Sequence, residues 1–278
     1  QRQRVDESRA DGLHVEGGQA RLDLDVRGLE FASREGDVAG KDIAFSLKAG
    51  ATRSGTDWQW QARLDWPQGE VYRAPWRRQA GVRIDAEGTL SAKSIDVALA
   101  RLEVAEFGAV IAGLRWDRER GEATDWGFVT ERLDLATAMR EWVQPWLAGL
   151  GFPQWHASGH ARFSAEWAAG GLRRFYAGLE DAALADNTGY LALDGVNAQI
   201  PWDAEAPTEA EIGVAAGRIG DLPLAGFTLP LRLGGSEATV KGLVAPMLDG
   251  RFLIDSLRLA KSQSGWHGEF EGGIEGVS

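Results

Sequence analysis

Two histidines are spaced so that they could bind a metal ion, since neutral imidazole is a common metal ligand. His156 and His160 are four residues apart, which on a helix would place both on one face. Ser158 and Gly159 lie between them and favour a strand instead. On a strand, a spacing of four residues separates the two side chains by roughly 13 Å, too far for one ion. The sequence therefore predicts no metal site here, and two polar residues on the solvent face of a strand.

No motif for covalent or cofactor chemistry occurs in the sequence. There is no cysteine, which excludes thiolate nucleophiles and thiolate metal sites. Neither a Gly-x-Ser-x-Gly elbow nor a phosphate loop nor a dinucleotide fingerprint is present. Carboxylates are plentiful, but nothing marks any two of them as an acid–base pair. We therefore predict no catalytic residue, no cofactor and no enzymatic activity.

The net charge of the chain argues against one class of partner. At pH 7 the formal charge is −11. Binding to nucleic acid depends on clustered Lys and Arg that neutralise phosphates. We therefore expect no nucleic-acid partner, and interpret the acidity as a contribution to solubility.

Tryptophan is unusually frequent, with 12 residues, and three interpretations are open. The side chains could fill a core, stack on sugar rings, or line an apolar channel. Trp58, Trp60 and Trp66 share strand parity with Ala62 and Leu64, because side chains on a strand alternate between two faces. An apolar parity fits a core or a channel better than a sugar-binding surface.

Short runs of alternating apolar and polar residues fill most of the sequence, and glycine turns separate them. This pattern is typical of an antiparallel β meander. We predict a mostly β fold with a polar lead-in at 1–19, a first β-rich block at 20–132 and a second at 154–278. No linker-like composition separates the blocks, so we expect one continuous, long, curved antiparallel sheet.

A change of periodicity predicts a helical insert at 133–153. Asp134 is suited to cap a helix start, and apolar residues follow at helical spacing up to Leu150. Pro145 predicts a kink or two short helices. We expect this amphipathic insert to cap an open end or edge of the sheet. A helix lying on a membrane surface is the alternative.

The apolar parity of the strands predicts one continuous apolar lining. Parity places each residue relative to its own strand, whereas the register between strands stays open. The predicted lining residues are Trp58, Trp60, Leu64, Ile84, Val97, Phe163, Trp167, Ile200, Val214, Leu229, Leu231 and Ile254.

Three segments resemble repeated units of AsmA-like proteins. The first is LDLATAM at 133–139, followed by a short helix and then GHARF at 159–163. The second is LDGRFLIDSL at 248–257, and the third is 175–190 with LEDAAL at 179–184. The first resembles the strand–helix–strand unit of that family, and the second and third resemble strands found in its members.

The resemblance implies a fold, a location and a function. AsmA-like proteins roll a long sheet into a U-shaped groove with an apolar lining, and lie in the periplasm of Gram-negative bacteria. They are anchored to the inner membrane and take part in phospholipid transport to the outer membrane. The first ten residues are polar, without a signal peptide. The expectation is therefore a mature or excised piece with its N-terminal anchor upstream.

Two other functions remain open at this point. The same sheet could serve as a scaffold or assembly factor for outer-membrane or secretion machinery, by pairing an edge strand with a partner protein of either membrane. The tryptophans could instead belong to a glycan-binding or glycan-acting β protein. The expected partner under the leading hypothesis is phospholipid.

Overall fold

The computed structural model describes residues 2–4, 7–168, 170–247, 250–262 and 265–276. Strands account for 77% of the chain, and one helical segment of 15 residues lies in the middle of the sequence. The predicted fold class, mostly β and antiparallel with a short central helix, is confirmed. Leu248 and Asp249, which begin one of the AsmA-like motifs, lie outside the described residues.

The contacts within the chain divide it into two units, which are described separately. Unit 1 comprises Gln1–Glu131, Glu141–Gly149 and Ala168–Gly170, and unit 2 comprises Arg132–Arg140, Leu150–Trp167 and Gly171–Ser278. That the two β-rich blocks form one continuous sheet stays a prediction.

Unit 1 is an antiparallel meander. Its strands are β1 (Arg2–Arg4), β2 (Glu7–Glu16), β3 (Gln19–Ala32), β4 (Val38–Ser54), β5 (Asp57–Arg73), β6 (Trp76–Gln79), β7 (Val82–Leu90), β8 (Ser94–Val104), β9 (Gly108–Asp117) and β10 (Glu122–Thr130). Strand β3 pairs with β1 and β2 on one side and with β4 on the other. Strand β5 pairs with β4 and, on its other side, with both β6 and β7. Among the described residues β2 and β10 are not paired with each other, so the sheet of unit 1 is unclosed.

Unit 2 continues the same pattern. Its strands are β11 (Leu133–Asp134), β12 (Trp155–Ala168), β13 (Gly171–Asp186), β14 (Leu191–Asp203), β15 (Thr208–Ile219), β16 (Leu222–Gly234), β17 (Glu237–Met247), β18 (Gly250–Ser262) and β19 (Gly265–Glu275). Strands β13 to β18 each pair antiparallel with the next strand, and β11 pairs with β12. In the described part of the chain β11 and β19 are not paired, so this sheet is unclosed as well.

The predicted lead-in contains paired strands. Strand β2 lies within 1–19 and pairs with β3 from Glu7 opposite Arg27 to Glu16 opposite Gln19. Its polar composition reflects an edge strand, since such strands carry polar and charged residues that discourage pairing with other chains.

The helical segment (Leu135–Gly149) consists of α1 (Leu135–Ala138), a π-helical turn (Met139–Val143) and α2 (Gln144–Gly149). Asp134 caps α1, because its Oδ1 accepts a hydrogen bond from Thr137 N at 2.7 Å. This bond holds the pKa of the Asp134 carboxyl below its usual value. Pro145 is the second residue of α2, directly after the π-helical turn, and has no N–H to donate. The predicted capping residue is confirmed. The helical segment is continuous, and its irregular part is the π-helical turn at Met139–Val143 rather than a break at Pro145.

Residues with positive φ lie on neighbouring strands and mark bends in both units. A Cβ on Gly69 would collide with the carbonyl oxygen of Asp42, and a Cβ on Gly159 would collide with that of Asp181. Only glycine allows two backbones to approach so closely. Bulges at these places bend and twist the strands, which curves each sheet. The residues are Gly28, Asp42 and Gly69 on β3, β4 and β5, and Gly159, Asp181 and Gly195 on β12, β13 and β14.

Candidate functional site

The strand register places five of the predicted lining residues on one face of unit 1. Residues directly opposite each other on antiparallel strands point to the same face. Leu64 lies opposite Ile84. Trp60 lies opposite Gly88, which in turn lies opposite Val97. The residues brought together in this way are Trp58, Trp60, Leu64, Ile84 and Val97.

The ring of Trp60 lies over Gly88. A Cβ built on Gly88 would stand 2.9 Å from Cζ2 of Trp60, which is closer than real side chains approach. The same Cβ would collide with the carbonyl oxygen of Asp96 on β8. Gly88 therefore leaves room both for the edge of the indole and for the neighbouring backbone.

An alanine row crosses the middle of the same face. Its members lie opposite one another on five strands, β4, β5, β7, β8 and β9: Ala49, Ala62, Ala86, Ala100 and Ala112. One neighbouring row is bulky and aliphatic, and consists of Leu47, Leu64, Ile84, Leu102 and Val110. The row on the other side is mixed, and consists of Ala51, Trp60, Gly88, Val97 and Leu114.

These rows give the face a shallow trough that runs across the strands. Neighbouring strands lie about 4.8 Å apart, so the alanine row is about 19 Å long. Rows on the same face are about 6.7 Å apart along each strand, so the flanking rows stand about 13 Å from each other. These dimensions suit an extended apolar chain lying across the sheet.

The apolar face of unit 1 is only partly buried. Every alanine of the row is half-buried, as are Trp58, Trp60 and Leu64. Towards one end of the strands, Trp116 and Trp126 keep 37% and 39% of their surface exposed. No large side chain is fully buried among the described residues of either unit. Unit 1 thus presents an apolar surface rather than a closed core.

The opposite face of unit 1 carries cross-strand ion pairs. Arg63 Nε lies 2.5 Å from Asp85 Oδ1, and Arg115 Nε lies 2.6 Å from Asp96 Oδ1. The hydrogen bond from Arg115 lowers the pKa of the Asp96 carboxyl, with a smaller contribution from Ser94. Such exposed pairs add little stability individually. Their main effect is to keep this face in water and the apolar face away from it.

Each unit also has a concavity, and polar and apolar residues contribute about equally to both linings. That of unit 1 measures about 1380 Å³, and that of unit 2 about 1180 Å³. Their linings include Lys48, Gln61 and Arg63 in unit 1, and Gln199 and Glu211 in unit 2. Two of the twelve predicted lining residues are among those bordering the concavities: Trp60 and Leu231. The concavity of unit 1 also borders part of the apolar face, including Ala49, Ala62 and Ala86.

In unit 2 the predicted residues fall on a face with a packed core. Val214 is buried and belongs to a cluster with Ala182 and Val196, against which Leu135 of α1 packs. The other predicted residues on this face are half-buried, each opposite an apolar residue: Ile200 opposite Ala177, Leu229 opposite Ile212, Leu231 opposite Val240 and Ile254 opposite Leu243. Phe163 and Trp167 share their β12 parity with Ala161 and Ala165, which are each only 1% exposed.

Strand β6 and the loop before β9 hold part of the helical segment, which sequence reasoning missed. Trp76 Nε1 donates a hydrogen bond to the carbonyl oxygen of Trp142 at 3.0 Å. Arg78 forms an ion pair with Glu141, and the ring of Phe107 lies 6.1 Å from that of Trp142. The aromatic and basic residues of β6 could have signalled a docking strand, but nothing in the sequence identifies their partner.

Several kinds of site are not found in the described ranges. Between residues 2 and 276, outside the gaps given above, no group of three or more His, Asp or Glu side chains could hold a metal ion. Among the helices so described, none is long and apolar enough to cross a bilayer. The absence of enzymatic activity stays a prediction.

The comparisons with known proteins add no relative. The resemblance to AsmA-like proteins therefore stays a prediction that depends on the quoted motifs. No family model, curated protein or solved structure matches this chain.

Proposed function

We propose that the chain is a lipid-binding module that carries the acyl chains of phospholipids on the apolar face of unit 1. The observation behind this proposal is the alignment of apolar rows over consecutive strands of an unclosed sheet, without full burial of any large side chain in the described residues. An acyl chain lying in the alanine row would cover apolar surface that otherwise meets water.

The energy of such binding comes from burial alone. Each methylene removed from water contributes about 0.8 kcal/mol, so ten methylenes contribute about 8 kcal/mol before the cost of ordering the chain. No hydrogen bond or charge on the apolar face is needed for this. A surface of this kind distinguishes acyl chains from polar ligands, but not one headgroup from another.

The family resemblance supplies the setting of the proposal. In an AsmA-like protein, this module would lie in the periplasm, tethered to the inner membrane, and would take part in phospholipid transport between the inner and outer membranes. The charged outer face of unit 1 supports such a setting, because its ion pairs keep the outside of an open sheet in water.

The test is lipid content measured by native mass spectrometry on protein purified without detergent. We expect co-purified phospholipid in the parent protein. Trp60→Asp places a carboxylate on the apolar face and should remove most of the lipid. Gln61→Asp is the matched control, because Gln61 is the next residue of β5 and points to the opposite face.

A second variant keeps the test valid if Trp60→Asp fails to fold. Ala86→Leu fills the middle of the alanine row without adding a charge, and should reduce the lipid content while the protein stays folded. Lipid-free parent protein that also fails to take up phospholipid from mixed micelles would contradict the proposal. Equal loss of lipid in Gln61→Asp would show that the loss does not depend on the apolar face.

Strand β19 favours a second candidate function, that of a scaffold which pairs with a strand of a partner protein. Strand β19 pairs with β18, and its Trp266, Phe270 and Ile274 are 66%, 58% and 61% exposed. Its polar parity carries Glu269 and Glu271, so an amphipathic strand with Lys at alternate positions would complement it.

Peptide binding tests this scaffold function. A basic amphipathic peptide should bind the parent protein, and Glu269→Lys with Glu271→Lys should reverse the preference towards an acidic peptide. The control, Glu209→Lys with Glu211→Lys, makes the same charge change on β15, where both edges are already paired. An identical response in the control would contradict edge pairing.

A further inference from the structure

The part of the helical segment in unit 1 turns its charged residue towards the sheet and its tryptophans outwards. The ion pair between Glu141 and Arg78 leaves only 26% and 17% of these side chains exposed. On the outer side, Trp142, Val143 and Trp146 are 42%, 36% and 52% exposed. A helix on the surface of a globular protein normally has the reverse arrangement. We call these three outward residues the tryptophan patch.

The sequence around the tryptophan patch has no charge. Residues 142–149 contain no Asp, Glu, Lys or Arg, although such residues make up 26% of the whole chain. About two charged residues would be expected in a stretch of this length. A water-facing surface has no reason to exclude charge, whereas a surface that enters a less polar medium does.

We propose that the tryptophan patch seats against the interfacial region of a phospholipid bilayer. Indole combines a large apolar ring with one N–H donor, and tryptophan is enriched at the membrane–water boundary for that reason. The N–H of Trp146 has no hydrogen-bond partner among the described residues, so it is available to a lipid carbonyl or phosphate oxygen.

Charge complementarity favours a zwitterionic surface. The chain as a whole carries −11, so most of its surface repels an anionic bilayer at low salt. The uncharged tryptophan patch meets phosphocholine or phosphoethanolamine headgroups without that repulsion. A cationic protein partner would instead be attracted to the acidic surface elsewhere, and nothing in the patch would hold it.

The contacts beneath the tryptophan patch fix its orientation. The hydrogen bond from Trp76 to the Trp142 carbonyl and the ring contact with Phe107 hold the backbone of the segment against unit 1. Trp146 and Val143 make neither of these contacts, so their side chains can change without removing the attachment. This proposal does not depend on lipid bound to the alanine row.

Sedimentation with vesicles of pure phosphatidylcholine tests the proposal. The full chain should sediment with the vesicles, and brominated lipid should quench part of its tryptophan fluorescence. Val143→Gln with Trp146→Gln should lower the partition coefficient at least about tenfold. Trp266→Gln is the matched control, because Trp266 is even more exposed, at 66%, and lies on β19.

The outcomes separate this proposal from the lipid-carrier function. Parent protein that stays in solution with the vesicles would overturn it, and so would an equal loss of partition in Trp266→Gln. Sedimentation only with anionic vesicles would also contradict binding to a zwitterionic bilayer. Lipid content by mass spectrometry should stay unchanged in the Val143 and Trp146 variant, whereas failure of the lipid-carrier function would appear in the lipid content and not in the partition.

Discussion

Units 1 and 2 share one strand pattern but use their apolar faces differently. Sixteen hydrophobic residues are buried in the described structure, and twelve of them lie in unit 2 against four in unit 1. The alanines illustrate the difference. Ala182 and Ala198 of unit 2 are each 5% exposed, whereas Ala62 and Ala86 of unit 1 are half-buried. The same alternation thus yields a packed core in one unit and an apolar surface in the other.

The two units bend in the same way, although their apolar faces differ in burial. Each has an aspartate with positive φ beside a glycine of the neighbouring strand, Asp42 with Gly69 and Asp181 with Gly159. A side-chain amide from a neighbouring strand contacts each aspartate. Gln68 Nε2 donates to Asp42 Oδ2 at 2.9 Å, and Asn197 Oδ1 accepts from Asp181 N at 3.1 Å. Both units are therefore curved in the same way, and they differ in how far their apolar faces are buried.

The largest expected contrast is between charges placed on the two apolar faces. Val214→Asp buries an unpaired carboxylate in the core of unit 2, and should lower the free energy of unfolding by roughly 3–5 kcal/mol. Trp60→Asp leaves the carboxylate within reach of water in unit 1 and should cost much less. Urea denaturation measures both. Equal destabilisation would mean that unit 1 is as closed as unit 2, and would remove the basis for the lipid proposal.

The shared bends predict matched losses of stability. Gly69→Ala and Gly159→Ala each force a Cβ into a neighbouring backbone at a positive φ, and each should cost about 3 kcal/mol or more. Gly55→Ala is the control, because Gly55 has φ +65 but nothing within 4 Å of the added carbon. It should cost only about 1 kcal/mol. Thermal melts compare the three, and a small loss at one bend alone would show that the units curve for different reasons.

Loss of the helix cap tests whether α1 matters to the core of unit 2. Asp134→Ala removes the acceptor for Thr137 N and should cost about 1 kcal/mol, while Asp134→Asn should keep most of the stability. Hydrogen exchange should show faster opening of amides around Val196 and Val214, because Leu135 packs on that cluster. Unchanged exchange there would mean that the core holds without α1.

The smallest expected effect is a loss of stability at low pH that is common to both units. Hydrogen bonds lower the pKa of Asp96 in unit 1, mainly from Arg115, and of Asp186 in unit 2, mainly from the Thr188 hydroxyl. A folded-state pKa below the unfolded value contributes stability that is present above the unfolded pKa and is lost as pH falls through the folded one.

The urea midpoint should therefore be flat from pH 7 to about 5 and fall below about pH 4. Asp96→Asn and Asp186→Asn should each make that fall less steep, and by similar amounts. A fall that begins near pH 6 would contradict the assignment of the loss to these carboxylates.

Sequence alone determined the class of fold, because its signals are local. Alternation with a period of two residues identified most strands, and Asp134 predicted the capped start of the helical segment. The same parity places Trp58, Trp60 and Leu64 on one face of β5. Each inference needed only neighbours within about ten residues, where backbone geometry fixes the direction of a side chain.

Only the tertiary structure decided the register between strands and how far each apolar face is buried. That Trp60 meets Gly88 depends on pairing between β5 and β7, which are separated by β6 and its turns. That Val214 is buried while Trp60 stays half-exposed depends on which residues cover each face, including Leu135 of the helical segment. Period-two alternation is identical for a covered and an uncovered face, because the sequence of a strand records which side is apolar and not what lies against it.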